Sequence, residues 1–329
     1  MKLPSTQSLL ICISFVFGNL LGCRADEHLE PGQPIEVTGT HGRFDFISID
    51  SDARRLLTAH TGNGSLDVID LDTKAVLKVI HTGAAQDCAV DWESRRYFVS
   101  VSKPPQMVII DADTLQIKDT VPLGGPADLL AFNPESGDVY VCHDDASHVW
   151  VIDPDAKKLV STVDLPSDSP EGLAFDIDND RLFQAMKTGN IIAVVDVETK
   201  KVTGQWPTEP AKSPHGIAAV TEFNAILVAG GNGKLVMMSQ KDGHLISVMD
   251  VAERVDQIAY DAQLHRVYCA SGTGKISIVG VERWALTNLG EVHSSEGARS
   301  IAIDTHTHTV WTAYGKGERS FVQPFNAKK

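Results

Sequence analysis

Between Pro126 and Pro166 the chain alternates short apolar runs with polar turns, reading PADLLAFNPESGDVYVCHDDASHVWVIDPDAKKLVSTVDLP. Four runs stand out: Leu129 to Phe132, Val139 to Cys142, Val149 to Ile152 and Leu159 to Leu165. Polar turns at Asn133 to Asp138, Asp144 to Ser147 and Asp153 to Lys158 separate them. Each run has the length of a strand and is too short for a helix. The same order recurs along most of the chain. The polar residue before each first strand gives the anchors Asp45, Asp87, Asp128, Glu171, His215, Asp256 and Arg299, at spacings of 42, 41, 43, 44, 41 and 43. The end of each second strand gives His60, Ser102, His143, Met186, Gly230, Ser271 and Tyr314, with the same spacings. Seven four-stranded units predict an all-β, seven-bladed β-propeller, in which each blade leaves a face bare until the next packs on it.

In the first unit the pattern predicts strands at Phe46 to Ile49, Leu56 to Ala59, Leu66 to Ile69 and Val76 to Ile80. The seventh supplies only three: Ser300 to Ile303, Val310 to Ala313 and Phe321 to Phe325. Pro34 to Gly39 (PIEVTG) fits the fourth-strand pattern. Paired outside the last C-terminal strand, it would close the ring and remove an exposed edge. The expected organisation is therefore an export signal over 1–23, a flexible lead over 24–34 and a propeller over 35–329. Lys2 precedes an apolar run from Leu9 to Leu21 that is short for a membrane span and reads as that signal. Leu20-Leu21-Gly22-Cys23 resembles a bacterial lipobox, which predicts lipidation of Cys23; the alternative is ordinary cleavage after Ala25. Both place the protein outside the cytoplasm, in the periplasm or on the outer surface. The first adds an acyl tether to a membrane.

The repeats also carry a family resemblance. Tyr140-Val141-Cys142-His143, then Val149-Trp150-Val151-Ile152-Asp153 and Lys158-Leu159-Val160, then Ser169-Pro170-Glu171-Gly172-Leu173-Ala174, resembles the YVTN-type β-propeller repeat of YncE-like proteins. The likeness runs over roughly residues 35 to 329. It implies the fold. Such propellers include binding proteins and relatives of lactonase-like and redox-subunit propellers, so function has to come from the site. His60 and His143 stand where the repeat motif ends in Asn.

Composition narrows the partners. A formal charge of -14 repels nucleic acid and anionic headgroups at long range, so contact with a membrane is expected through the N-terminal anchor only. The expected partner is a small ligand or a protein. Of five cysteines, Cys12 and Cys23 fall in the leader region; Cys88, Cys142 and Cys269 lie inside strand runs and read as buried free thiols, with a Cys88–Cys142 bridge as the alternative. No Cys-x-x-Cys-His, His-Glu-x-x-His or Gly-x-Ser-x-Gly occurs, so the sequence offers no motif for covalent haem, a zincin or a nucleophile elbow. Asp176 to Asp180 mimics a calcium loop, but Arg181 stands where Gly is needed and the stretch reads as a turn. His306 and His308 read as an exposed pair in a turn.

Strand alternation within a blade puts the seven first-strand anchors around one mouth of the central channel, with His60 and His143 just outside. Asp45, Asp87, Asp128, Glu171, His215, Asp256, Arg299, His60 and His143 are thus the expected ligand-binding set. Crowded carboxylates raise one another's pKa unless a cation or fixed donors neutralise them, which makes Asp87, Asp128, Glu171, His143 and His215 candidate ligands for a divalent metal. A divalent metal ion is the one cofactor the pattern suggests. Three uses of such a mouth stand side by side: binding or scaffolding, hydrolysis of a lactone or ester by a metal-activated water with Arg299 holding an anionic group, and a wet structural rim. Service as an accessory subunit of a redox enzyme is a further class.

Overall fold

A computed structural model describes residues 28–328; residues 1–27, with the signal, Cys12 and the lipobox Cys23, lie outside the described residues. Seven antiparallel sheets follow one another along the chain. Blade 3, the pattern unit, comprises Ala127–Phe132, Val139–His143, His148–Asp153 and Lys158–Asp164. Blade 1 runs from Ile47–Asp50 to Val76–His81, blade 2 from Ala85–Asp91 to Gln116–Pro122 and blade 4 from Pro170–Asp176 to Lys201–Pro207. Blade 5 runs from Pro214–Val220 to Leu245–Asp250 and blade 6 from Val255–Asp261 to Ala285–His293. The innermost strand of each blade packs on that of the next, and the one in blade 7, Ser300–Asp304, returns to Ile47–Asp50. The sheets therefore form a closed ring.

Blade 7 is completed as the pattern predicts. Outside Arg319–Ala327, Ile35 pairs with Val322 and Glu36 with Phe321. The strand starts earlier than expected, however: Leu29–Pro31 also pairs with Arg319–Ala327, Leu29 opposite Ala327, and Leu29 is fully buried. The end of the segment read as a flexible lead is thus part of the sheet.

Burial explains why the strands are nearly continuous apolar runs. Successive side chains point to opposite faces, and here both faces are covered. Tyr140 and Cys142 pack towards blade 4, whereas Val139 and Val141 pack towards blade 2. Among the described residues the core divides into seven such clusters, one at each blade-to-blade interface.

Local readings resolve similarly. Cys88, Cys142 and Cys269 are free and buried, so the bridge between Cys88 and Cys142 does not form. Ile177–Asn179 is a single 3-10 turn between two strands, with Asp176 accepting from Arg181, so no calcium loop is built there. His308 differs from the reading of an exposed pair. It is buried, with Nδ1 2.7 Å from Asp261 Oδ2 of blade 6, and only His306 is exposed.

Candidate functional site

Register decides which side chains reach the channel mouth. In blade 3 Ala127 pairs with His143 and Leu130 with Val141; in blade 2 Ala85 pairs with Val101 and Cys88 with Val99. Gln86 is therefore the counterpart of Asp128, and Val101 that of His143. The spacing argument, anchored on the nearest acid and on Ser102, had placed blade 2 one residue too far along. In a strand, one residue changes where a side chain points.

The mouth is a cavity of about 180 Å³ into which Asp45, Gln86, Asp128, Glu171, His215, Asp256 and Arg299 project, one from each blade. Arg43, Asp144 and Lys187 add charge at its rim. Asp87 lies deeper, in a second chamber of about 230 Å³ with Ser48, Cys88 and Gln257. Phe46 and Leu129 line both spaces and mark the boundary between them. Gln257 ties the ring together inside the channel: its Oε1 accepts from the amides of Ile47 (3.2 Å) and Ile301 (2.9 Å), and its Nε2 donates to the Ile47 carbonyl at 2.9 Å. One side chain of blade 6 thereby holds blades 7 and 1.

Fixed cations neutralise part of the acidic ring. Arg299 Nη2 donates to Asp45 Oδ2 at 3.1 Å while its Nε lies 3.0 Å from Asp256 Oδ2. Arg43 adds a 2.9 Å bond to the same Asp45 oxygen. Lys187 Nζ donates to Glu171 Oε1 at 2.8 Å. His215 lies 2.7 Å from the Ser213 carbonyl through Nδ1; a carbonyl only accepts, so Nδ1 carries the proton and Nε2 faces Glu171 Oε1 at 3.6 Å. Asp128 forms no hydrogen bond or ion pair with the described residues.

Burial dominates the titration of this ring. It raises Asp45 to about 6 against the pull of Arg299. Asp87 rises to about 7 through burial, even though the amides of Leu130 and Cys88 donate to it. Asp128 is pushed well above the usual carboxylate range by burial and then by the charge of Glu171. Glu171 is itself raised by burial, with His215 and Lys187 opposing. These carboxylates thus keep their protons to higher pH than ordinary ones do.

His60 and His143 do not join the mouth. His60 is fully buried, with Nδ1 2.6 Å from Asp67 Oδ2, Nε2 3.0 Å from Ser320 Oγ and its ring stacked on Phe44. His143 Nδ1 accepts from the amides of Asp145 and Ala146, and the ring packs against His148 and Trp150. Both replace the repeat's Asn as turn and packing residues. The five residues expected to ligate a metal do not converge: Asp87 is in the lower chamber, His143 is in its turn, and Lys187 occupies Glu171. Among the described residues no three His, Cys, Asp or Glu stand close enough to hold an ion. Sequence reasoning missed Gln86, Arg43 and Lys187. Gln86 was legible from strand alignment, but the two cations sit outside the repeated position and carried no signal.

Over 148 residues the chain is 29% identical to the uncharacterised protein YncE of Salmonella typhimurium, a match covering 43% of this chain and 41% of that one. Over that stretch the chain is similar to YncE, and its fold is a seven-bladed β-propeller. YncE of Salmonella typhi matches at 28% over the same length, so the alignment spans about two fifths of each curated relative. No family model matches. Among solved structures, the RRP9 WD40 repeats superpose with a TM-score of 0.77 at 12% identity, over 92% of this chain and 98% of that one. A chain of Kuenenia stuttgartiensis hydrazine synthase gives 0.73 at 14% identity, over 87% and 98%. A chain of a mitotic checkpoint complex gives 0.76 at 12%, over 98% of each. At such identities the likeness is one of fold.

Proposed function

We propose that the chain is an extracytoplasmic binding module, tethered to a membrane through acylated Cys23, that takes a small polar ligand at the channel mouth and leaves its outer surface for a protein partner. The mouth cavity carries the ligand half of this reading. At about 180 Å³ it is below the size of drug-like pockets, and every blade contributes a charged or polar side chain to its walls. The partner half takes support from the structural neighbours, which include a chain of a mitotic checkpoint complex and the WD40 repeats of RRP9. Hydrolysis gains no support, because Asp87 and His143, two of the five residues expected to hold an activating metal, lie away from the mouth, Lys187 occupies Glu171, and no nucleophile with an adjacent base lines the mouth.

The test is a thermal-shift screen of polar small molecules on the full chain, followed by mass spectrometry of each mixture, together with fractionation of cells expressing the parent or Cys23→Ser. Binding is expected to raise the melting temperature with the compound recovered unchanged, and the Cys23→Ser protein is expected to leave the membrane fraction. Consumption of a stabilising compound would point to an enzyme. A membrane-bound Cys23→Ser protein would overturn the acyl tether.

A further inference from the structure

Resting on the acyl tether in that reading, we propose that the face opposite the mouth seats on the bilayer surface, with Trp92 and Trp284 entering the headgroup layer and the mouth turned away from it. Eight large apolar side chains are exposed among the described residues. Six of them, Leu159 and Val160 included, lie on fourth strands and are scattered around the outer wall of four blades, which is ordinary for a protein surface. The other two are the most exposed, Trp284 at 67% and Trp92 at 49%, and both stand on turns. Trp92 follows the first strand of blade 2, Ala85–Asp91, and Trp284 follows the third strand of blade 6, Lys275–Glu282. Strands alternate in direction within a blade and first strands start at the mouth, so first and third strands both end on the opposite face.

An independent observation selects a membrane as the occupant of that face: the described chain enters there. Leu29 lies opposite Ala327, the last residue of the third strand of blade 7, and the Lys328 amide donates to the His28 carbonyl at 3.0 Å. Cys23 stands five residues before His28. Five residues span at most about 18 Å when fully extended. The mouth lies a strand length further on, about 20 Å, so an acyl group on Cys23 can bring the opposite face to a membrane but not the mouth. The tether then holds the two indoles beside the lipid at high effective concentration, and a contact too weak to hold a free protein suffices. Its chemistry suits a headgroup layer, where indole rings bury their apolar body and keep the N–H wet. The Arg283 guanidinium lies 5.7 Å from the centre of the Trp284 ring, placed to reach phosphate beside it. A formal charge of -14 supplies no attraction to anionic headgroups, so the seat draws on the aromatic rings and the tether. Blades 2, 6 and 7 thus give three points of support, enough to set the face flat.

The test is Trp emission from the chain expressed with its leader, purified from membranes and reconstituted in phosphatidylcholine vesicles, plain or brominated on the upper acyl chains. Bromine quenches rings that touch lipid. Trp150 and Trp311 are buried, and half-buried Trp206, on the fourth strand of blade 4, reports on the side wall. The parent's emission should fall in brominated vesicles. In Trp92→Ala/Trp284→Ala that loss should vanish while the variant still floats with the vesicles, held by its acyl group. Circular dichroism should find it folded, since both side chains stand on exposed turns. A floating parent with equal emission in both vesicles would overturn the seat and leave the tether standing, with the propeller clear of the lipid. Quenching that survives in the double variant and disappears in Trp206→Phe would also overturn it, laying the propeller on its side. The tether has a separate readout: a Cys23→Ser chain that stays with the membrane removes the tether whatever the emission shows.

Discussion

Asp128 lines the mouth without a hydrogen bond or ion pair among the described residues, and its cost to folding depends on pH. Asp45 (about 6), Asp87 (about 7) and the raised Asp128 and Glu171 all bind a proton more tightly in the folded chain than in the unfolded one. Stability linked to them is complete below the ordinary carboxylate range and is lost as pH rises through the raised values. Asp70 and Asp242 act in the opposite sense. Donors hold Asp70 low and Asp242 near about 2, so their contribution is present above the ordinary range and fades as pH falls. Thermal stability should therefore peak at roughly pH 5 and decline towards pH 8. Asp128→Asn removes the charge without breaking a bond, so at pH 7.5 it should raise the melting temperature by about 2 °C, what about 1 kcal/mol is worth in a domain of this size, with almost no change at pH 5. Scanning calorimetry at the two pH values reads this out. A gain of the same size at both would show that charge is not the cause.

Among the elements, the outer strand of blade 7 shows how far the sequence could be read. The apolar–polar period located every blade because each inner strand is buried on both faces, and such burial leaves a compositional trace. The closing strand is an edge, and Pro31, Gly32 and Pro34 interrupt it. Proline lacks the ladder donor and is tolerated at an edge, so the prolines look like a linker while the structure keeps pairing on both sides of them. The same limit governs the mouth. Repeat spacing placed six of the seven ring positions, but a period of about 42 residues does not fix register to one residue, and so Asp87 was put where Gln86 stands. It also says nothing of which way His60 and His143 turn. Leu29 makes the point testable. It is fully buried against Tyr268, Ile278 and Phe325, so Leu29→Ala should cost about 3 kcal/mol in urea unfolding. A loss below about 0.5 kcal/mol, the size of a typical surface substitution, would return the segment to the status of a lead.

For the whole molecule the decisive feature is that the chain of blades has no free end. The seam between blades 7 and 1 is held by Gln257 in the channel, by His60 to Ser320, and by Arg54, whose Nη1 and Nη2 donate to the two oxygens of buried Asp304 at 2.7 Å each. Backbones also meet closely there, since a Cβ on Gly315 would lie 2.3 Å from the Gly42 carbonyl oxygen. Open repeat arrays can fray, because a terminal repeat has one neighbour. In a closed ring, losing one interface leaves every blade with at least one packed face but removes the constraint that kept the other six in register. Arg54→Ala leaves the Asp304 carboxylate buried without its cation, for which about 3 kcal/mol is expected. The three thiols report how that loss spreads. Cys88, Cys142 and Cys269 belong to blades 2, 3 and 6, all are buried, and burial holds their pKa high, so each is inert until its blade opens. Thiol labelling across a urea series, resolved by peptide mass spectrometry, should give one shared midpoint in the parent and one shared, lower midpoint in Arg54→Ala. If Cys88 and Cys269, each in the second blade from the seam, were labelled in Arg54→Ala at lower urea than Cys142, unfolding would begin at the seam and run blade by blade, and the ring would behave as a stack whose ends happen to touch.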